Sequence, residues 1–97
     1  MDTVRIGDFG DHVDEEVVVQ GWLHNKRSSG KLRFLIVRDG SGYAQAVVFK
    51  KAVSPEAWEA VDGAGQESTL QLIGQVKKDD RAPGGYEIDV GSIEVLQ

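Results

Sequence analysis

Alternation of apolar and polar positions divides the chain into five extended runs and one short helix. Glu16 to Leu23 is the first run, with Val17 and Val19 on one face and Val18 and Gln20 on the other. Gly21 reads as a bend or bulge, because a strand curving through a small barrel needs relief from Cβ crowding. Leu32 to Arg38 and Tyr43 to Phe49 have the length and the β-branched or aromatic content of strands. The polar Asp39-Gly40-Ser41-Gly42 between them is short enough to make them antiparallel neighbours. Within the second run Leu35 and Val37 share one face; Phe34, Ile36 and Arg38 share the other. Leu70 to Val76 and Tyr86 to Leu96 complete the set, joined by the polar stretch Lys77 to Gly85 with its turn signal Pro83-Gly84-Gly85. In the last run Ile88 and Val90 keep one phase and Ile93 and Val95 the other, which requires a register shift near Gly91-Ser92.

The helix sits between the third and fourth runs. Ser54 reads as its N-cap, Pro55 as its first residue and Glu56 as an acid facing the free N–H groups, with Gly63 and Gly65 ending it. Ala57, Trp58 and Val61 give it a short apolar side. Met1 to Arg5 carry no pattern, and Ile6 to Val13, with Phe9 among them, reads as a turn or helical cap over one end of the fold. The order predicts an all-β fold, a five-stranded oligonucleotide/oligosaccharide-binding (OB) barrel with a short helix between strands 3 and 4. A sandwich would want about seven strands. The first strand should then pair with both the second and the fourth. Binding in this fold concentrates on strands 2 and 3 and on the loops joining strands 1 to 2 and 4 to 5.

Ninety-seven residues make one domain, 1–97, and the absence of cysteine rules out disulfides and thiolate metal sites. With no apolar run near the roughly 20 residues a bilayer demands, and no signal-like N-terminus, a soluble cytoplasmic protein is expected. The net charge of −5 argues against a protein that coats nucleic acid indiscriminately. The charges are segregated, however. Asp8, Asp11, Asp14, Glu15 and Glu16 lie early and Glu56, Glu59, Asp62 and Glu67 lie in the middle, while Lys26, Arg27, Lys31, Arg33 and Arg38 have no acid among them until Asp39.

A basic loop, Asn25 to Lys31, beside an aromatic on an exposed sheet face suits a single-stranded nucleic acid, because cations meet phosphates and a ring accepts a base. Candidate contacts are Asn25, Lys26, Arg27, Lys31, Arg33, Phe34 and Gln45, with Lys77, Lys78 and Arg81 from the second loop. Arg38 and Asp39 fit a salt bridge or turn cap as well as they fit RNA contact. Trp22 and Tyr43 read as packing residues, and His24 as lying near the RNA surface. Asp79, Asp80 and Glu87 read as solvated loop acids. His12 and His24 lack a convergent third ligand for a metal, and nothing supports catalysis by this chain alone.

The stretch Gly21-Trp22-Leu23-His24-Asn25-Lys26-Arg27, with Gly30-Lys31, Phe34-Leu35, Arg38-Asp39-Gly40-Ser41-Gly42 and Gln45, resembles the N-terminal anticodon-binding domain of the aspartyl, asparaginyl and lysyl group of class II aminoacyl-tRNA synthetases. Arg81-Ala82-Pro83-Gly84-Gly85-Tyr86-Glu87 is most similar to the asparaginyl members, and some aspartyl members have a related loop. The resemblance implies that Phe34 stacks on the middle anticodon base, a uridine, that Gln45 reads its edge and that Arg27 contacts anticodon bases or backbone. It implies recognition of a tRNA anticodon loop, that of tRNA(Asn), by one part of an ATP-dependent ligase. The catalytic half, with ATP and Mg2+, is expected after residue 97; no cofactor is expected in this domain. The full-length protein is expected to be a homodimer and the isolated chain a monomer. Lys26 departs from the arginine that many members carry, keeping the charge without the bidentate fork. The alternatives are an aspartyl enzyme, or a free-standing single-strand-binding or adaptor domain on the same barrel, with an oligosaccharide binder a distant third.

Overall fold

The computed structural model describes residues 3–97, so Met1 and Asp2, in the patternless start, lie outside the described residues. Five strands and one α-helix follow one another as β1 (Glu16–Ser29), β2 (Leu32–Arg38), β3 (Tyr43–Phe49), α1 (Pro55–Gly63), β4 (Thr69–Lys78) and β5 (Tyr86–Val95). They form a closed barrel in the order β1-β2-β3-β5-β4. β1 pairs antiparallel with both β2 and β4, as the strand order predicts, and β3 closes the wall through a parallel pairing with β5. Closure leaves few unpaired strand edges, the usual liability of a small sheet.

The largest departure from the sequence reading is the length of β1. The polar stretch Asn25 to Ser29, read as loop, is strand: Lys26 lies opposite Leu35, Arg27 opposite Phe34 and Ser29 opposite Leu32. A ladder across to β2 satisfies these backbone groups whatever the side-chain polarity, which is why composition misleads here. The hairpin turn shrinks to Gly30-Lys31, with Gly30 at φ +59°, the sign a tight two-residue turn demands at its first central position. The β1 bulge falls between Leu23 and Asn25, at His24, and not at Gly21. Gly21 instead permits close approach, since a Cβ there would collide with the Arg38 carbonyl. The register shift near Gly91 is present: Ile73 pairs with Ser92 and Gly74 with Val90, leaving Gly91 as the extra residue.

Inward-facing residues of every strand make the core, among them Val19, Leu23, Leu35, Val48, Leu70, Leu72, Val76 and Ile88. Two segments close its ends. Ser54 Oγ accepts from the Ala57 amide at 3.1 Å, starting α1 where the sequence places it, and Trp58 and Val61 are buried over the barrel end where β2 begins. Near the point where β2 ends, a 3-10 turn over Ile6–Asp11 buries Ile6 and Phe9. Asp39 fastens that turn. Its carboxylate accepts from the Ile6 amide at 2.8 Å and from the Ser41 amide and hydroxyl at 2.9 and 2.6 Å. Burial pushes the Asp39 carboxyl up, but these bonds outweigh it and hold the group below its ordinary range.

Candidate nucleic-acid interface

Period-two alternation along β1 and β2, combined with their register, decides which cations can meet a ligand. Arg27 and Phe34 lie directly opposite one another, as do Asn25 and Ile36, so these four share the outer face. Gln45 of β3 lies opposite Ile36 and beside Glu87 of β5, which extends the face across four strands. Asn25, Lys26, Arg27, Phe34, Ile36 and Gln45 line a cleft of about 200 Å³.

Each side chain in the cleft has a defined partner or none to lose. The Arg27 guanidinium carbon lies 4.7 Å from the centre of the Phe34 ring, a cation–π stack on an otherwise exposed arginine. Phe34 and Gln45 are half-buried, and Gln45 Nε2 donates to Glu87 Oε2 at 3.3 Å. Burial pushes the Glu87 carboxyl up; Asp89 and Asp79 add to this, while the Gln45 hydrogen bond and Arg81 oppose it, and the net shift is upward. Asn25 Oδ1 accepts from the Lys26 amide at 2.8 Å. Lys31 is exposed at the tip of the β1–β2 hairpin. This face therefore offers an aromatic plane, an amide edge and a cation already lying over the plane. Those are the parts a single-stranded base and its phosphate require.

Two of the expected cations lie elsewhere. Lys26, opposite the core residue Leu35, points to the inner face, where its ammonium donates to the carbonyls of Val61, Asp62 and Ala64 at 3.0, 2.7 and 3.0 Å. It satisfies the free carbonyls at the C-terminal end of α1 and meets the negative end of the helix dipole. Arg33, in the same phase, stacks on Trp58 at 4.2 Å and bonds Asp62 through Nε at 2.6 Å and a terminal nitrogen at 3.3 Å. Their charges are spent on holding the helix. Of the cations read as belonging to the second loop, Lys77 and Lys78 are the last residues of β4, paired with Glu87 and Tyr86; Lys77 bonds Asp14 at 3.1 Å and Lys78 is exposed, while Arg81, in the loop itself, lies 3.9 Å from Asp79. None of the three is among the residues lining the cleft.

Other sequence readings also change. Trp22 and Tyr43, read as packing residues, are 39% and 47% exposed, because alternation places them opposite to Leu23 and Ala44. Arg38 stacks on Trp22 at 5.1 Å and grips Glu67 with both carboxylate oxygens at 2.8 and 2.9 Å, the salt-bridge role. His24, in the bulge, meets Tyr43 edge-on with ring centres 5.2 Å apart. Glu87, grouped in the sequence with the solvated loop acids, is instead a β5 residue that accepts from Gln45. Its position before buried Ile88 is a legible sign that it faces outward, but its neighbour Gln45 is visible only through the β3–β5 pairing. Among the described residues no group of three His, Cys, Asp or Glu side chains is arranged to hold a metal ion, and no helix is long and apolar enough to cross a membrane.

A closed five-stranded barrel with this outer face defines a nucleic-acid-binding OB domain, and the chain belongs to the family of OB-fold nucleic acid binding domains, whose model matches residues 17–96. More particularly, it matches the OB-fold domain of asparaginyl-tRNA synthetases. It is 48% identical over 96 residues to the asparagine-tRNA ligase of Pelotomaculum thermopropionicum, covering 99% of this chain and 22% of that one. With the enzyme of Koribacter versatilis it shares 50% over 92 residues, covering 95% and 21% of the two chains. The crystal structure of asparaginyl-tRNA synthetase from Pyrococcus horikoshii complexed with asparaginyl-adenylate superposes with a TM-score of 0.91 at 37% identity, over 100% of this chain and 23% of that one. The chain thus spans about a fifth of the length of these relatives.

Proposed function

We propose that this chain recognises the anticodon of tRNA(Asn) as one domain of an asparagine-tRNA ligase. The convergence of Arg27, Phe34 and Gln45 on one cleft carries the reading: three residues from three strands supply a phosphate or base contact, a stacking plane and a hydrogen-bonding edge. In this reading Phe34 stacks on the middle uridine, Gln45 reads its edge, and Arg27 leaves or slides along the ring to meet the incoming base or its phosphate. Lys31 adds charge at the hairpin tip. The chain supplies recognition; ATP- and Mg2+-dependent chemistry belongs to a catalytic body elsewhere in a longer, homodimeric protein. The work is that of translation, in the cytoplasm.

Two measurements test this. Full-length protein should charge tRNA(Asn) with asparagine and not tRNA(Asp) with aspartate; the reverse result would reassign it. The 97-residue chain should bind an anticodon stem-loop with uridine in the middle position more tightly than stem-loops altered only there, and equal affinity for all four would remove base reading from this face.

A further inference from the structure

Gln45 and Glu87 are directly paired on the parallel strands β3 and β5, and the Gln45 amide nitrogen donates to Glu87 Oε2 at 3.3 Å. An ionised carboxylate only accepts hydrogen bonds, whereas an amide has a donor end and an acceptor end of nearly equal size. Turned by half a rotation, the amide would set its carbonyl oxygen against a carboxylate oxygen, two acceptors face to face. The carboxylate therefore selects one of two otherwise equivalent orientations. With one Nε2–H given to Glu87 and that end of the amide turned toward β5, Oε1 is the acceptor available to a base lying on Phe34. Phe34 lies two residues from Ile36, the cross-strand partner of Gln45, so the plane and the amide are diagonal neighbours on one face.

We propose that Glu87 is a positioning residue: by fixing the Gln45 amide it makes Gln45 present its carbonyl oxygen, and so select a base carrying a ring N–H on that edge. Uracil N3–H and guanine N1–H can donate to Oε1. Cytosine N3 and adenine N1 are acceptors and meet it lone pair to lone pair. This deepens the anticodon reading above and rests on it, adding a cause for the preference for uridine and a class of bases, U and G, among which the amide alone does not choose.

The charge state of Glu87 should then govern specificity. Asp89 two residues along β5 and Asp79 in the β4–β5 loop face it with like charge, and Arg81 with opposite charge. Lys77 lies opposite on β4 with its ammonium bonded to Asp14, and Asn25 and Arg27 border the cleft on the far side. Burial and the neighbouring acids raise the Glu87 pKa. Once protonated, Glu87 can donate its O–H to Gln45 Oε1, so that the amide can turn and Nε2–H can face the base. Because the protonated carboxyl can still accept from Nε2 through its other oxygen, neither orientation is enforced and the preference for a ring N–H fades.

The test measures the affinity of the 97-residue chain for four anticodon stem-loops differing only in the middle base, from neutral pH down to about pH 5. At neutral pH the unaltered protein should prefer U to C by about five- to hundredfold, the worth of a well-placed base contact. The ratio should shrink as the Glu87 carboxyl, followed by its own carbon-13 shift, takes up its proton. Glu87→Gln should bring the U-to-C ratio close to one at every pH, because a neutral amide at 87 can either donate to Gln45 or accept from it and neither orientation is enforced. A Glu87→Gln protein that keeps the original ratio, or one that loses affinity equally on all four bases, overturns the proposal. So does an unaltered protein whose ratio stays constant through the Glu87 titration, a measurement that needs no substitution to fold. Phe34→Ala separates the two levels. If it binds all four stem-loops normally, the stacking reading falls and this proposal with it; if it weakens all four while Glu87→Gln keeps the ratio, only this proposal falls.

Discussion

The two faces of the β1–β2 hairpin carry adjacent cations with opposite fates. On the outer face Arg27 lies over Phe34, exposed and without a carboxylate partner among the described hydrogen bonds and ion pairs. One residue away on the inner face, Lys26 is held by three helix carbonyls, and Arg33 is held by Asp62 and Trp58. A basic stretch in a sequence is therefore not a basic surface. In a strand successive residues belong to different environments, and half of a charge run can serve the architecture while the other half serves a ligand. The difference also suggests why the cleft is shaped before RNA arrives: the inner cations tie the hairpin to α1, and the outer ones stand on a fixed base.

Substitutions can break this contrast from either side. The largest effect belongs to the inner face: Trp58→Ala should cost about 3–5 kcal/mol of stability, read by chemical denaturation, because it empties the barrel end and removes the surface on which Arg33 lies. Next is Phe34→Ala, expected to cost about 1–3 kcal/mol of stem-loop affinity in a protein whose amide spectrum shows the barrel intact. Lys26→Ala should lower stability by about 1–2 kcal/mol through the uncapped helix end. Its stem-loop salt slope should stay that of the unaltered protein. A reduced slope would mean that Lys26 leaves the helix to meet phosphate, and the division of faces would be wrong. Arg27→Ala should do the reverse, leaving the denaturation midpoint in place and reducing the salt slope by about 0.7 if it meets one phosphate. If it reads a base, sequence preference changes instead with little change in slope.

The smallest effect is in acid, and its sign differs between the faces. The hydrogen bond from Arg33 is the main cause holding Asp62 below its ordinary range, against a desolvation that raises it. Its stabilising contribution is present above the unfolded-state pKa and is lost as pH falls through the lower folded value. Glu87 is raised, so its ionised form is disfavoured by folding, and stability gained from its protonation appears as pH falls through the folded value. Carboxyl carbon-13 titrations should find Asp62 below and Glu87 above the ordinary carboxylate range. The same order in both, or the reverse, would contradict the environments assigned to the two faces.

Local pattern by itself determined much of this protein. Period-two runs located β2, β3 and the inward sets of β4 and β5, and Ser54-Pro55-Glu56 located the start of α1, because strand alternation and helix capping act over a few residues. The same alternation put Phe34 and Ile36 opposite to Leu35 and Val37, which made the aromatic platform legible. It did not reveal that Asn25 to Ser29 are strand, since those polar residues owe their extended form to pairing with β2. Nor did it show that Lys26 and Arg33 point toward α1, some 30 residues further along, or that Gln45 meets Glu87 across a parallel pairing 42 positions apart. Only tertiary structure decided those matters. Barrel closure assigns partners between distant segments, and a side chain's charge becomes structural or available according to which partner that closure sets beside it.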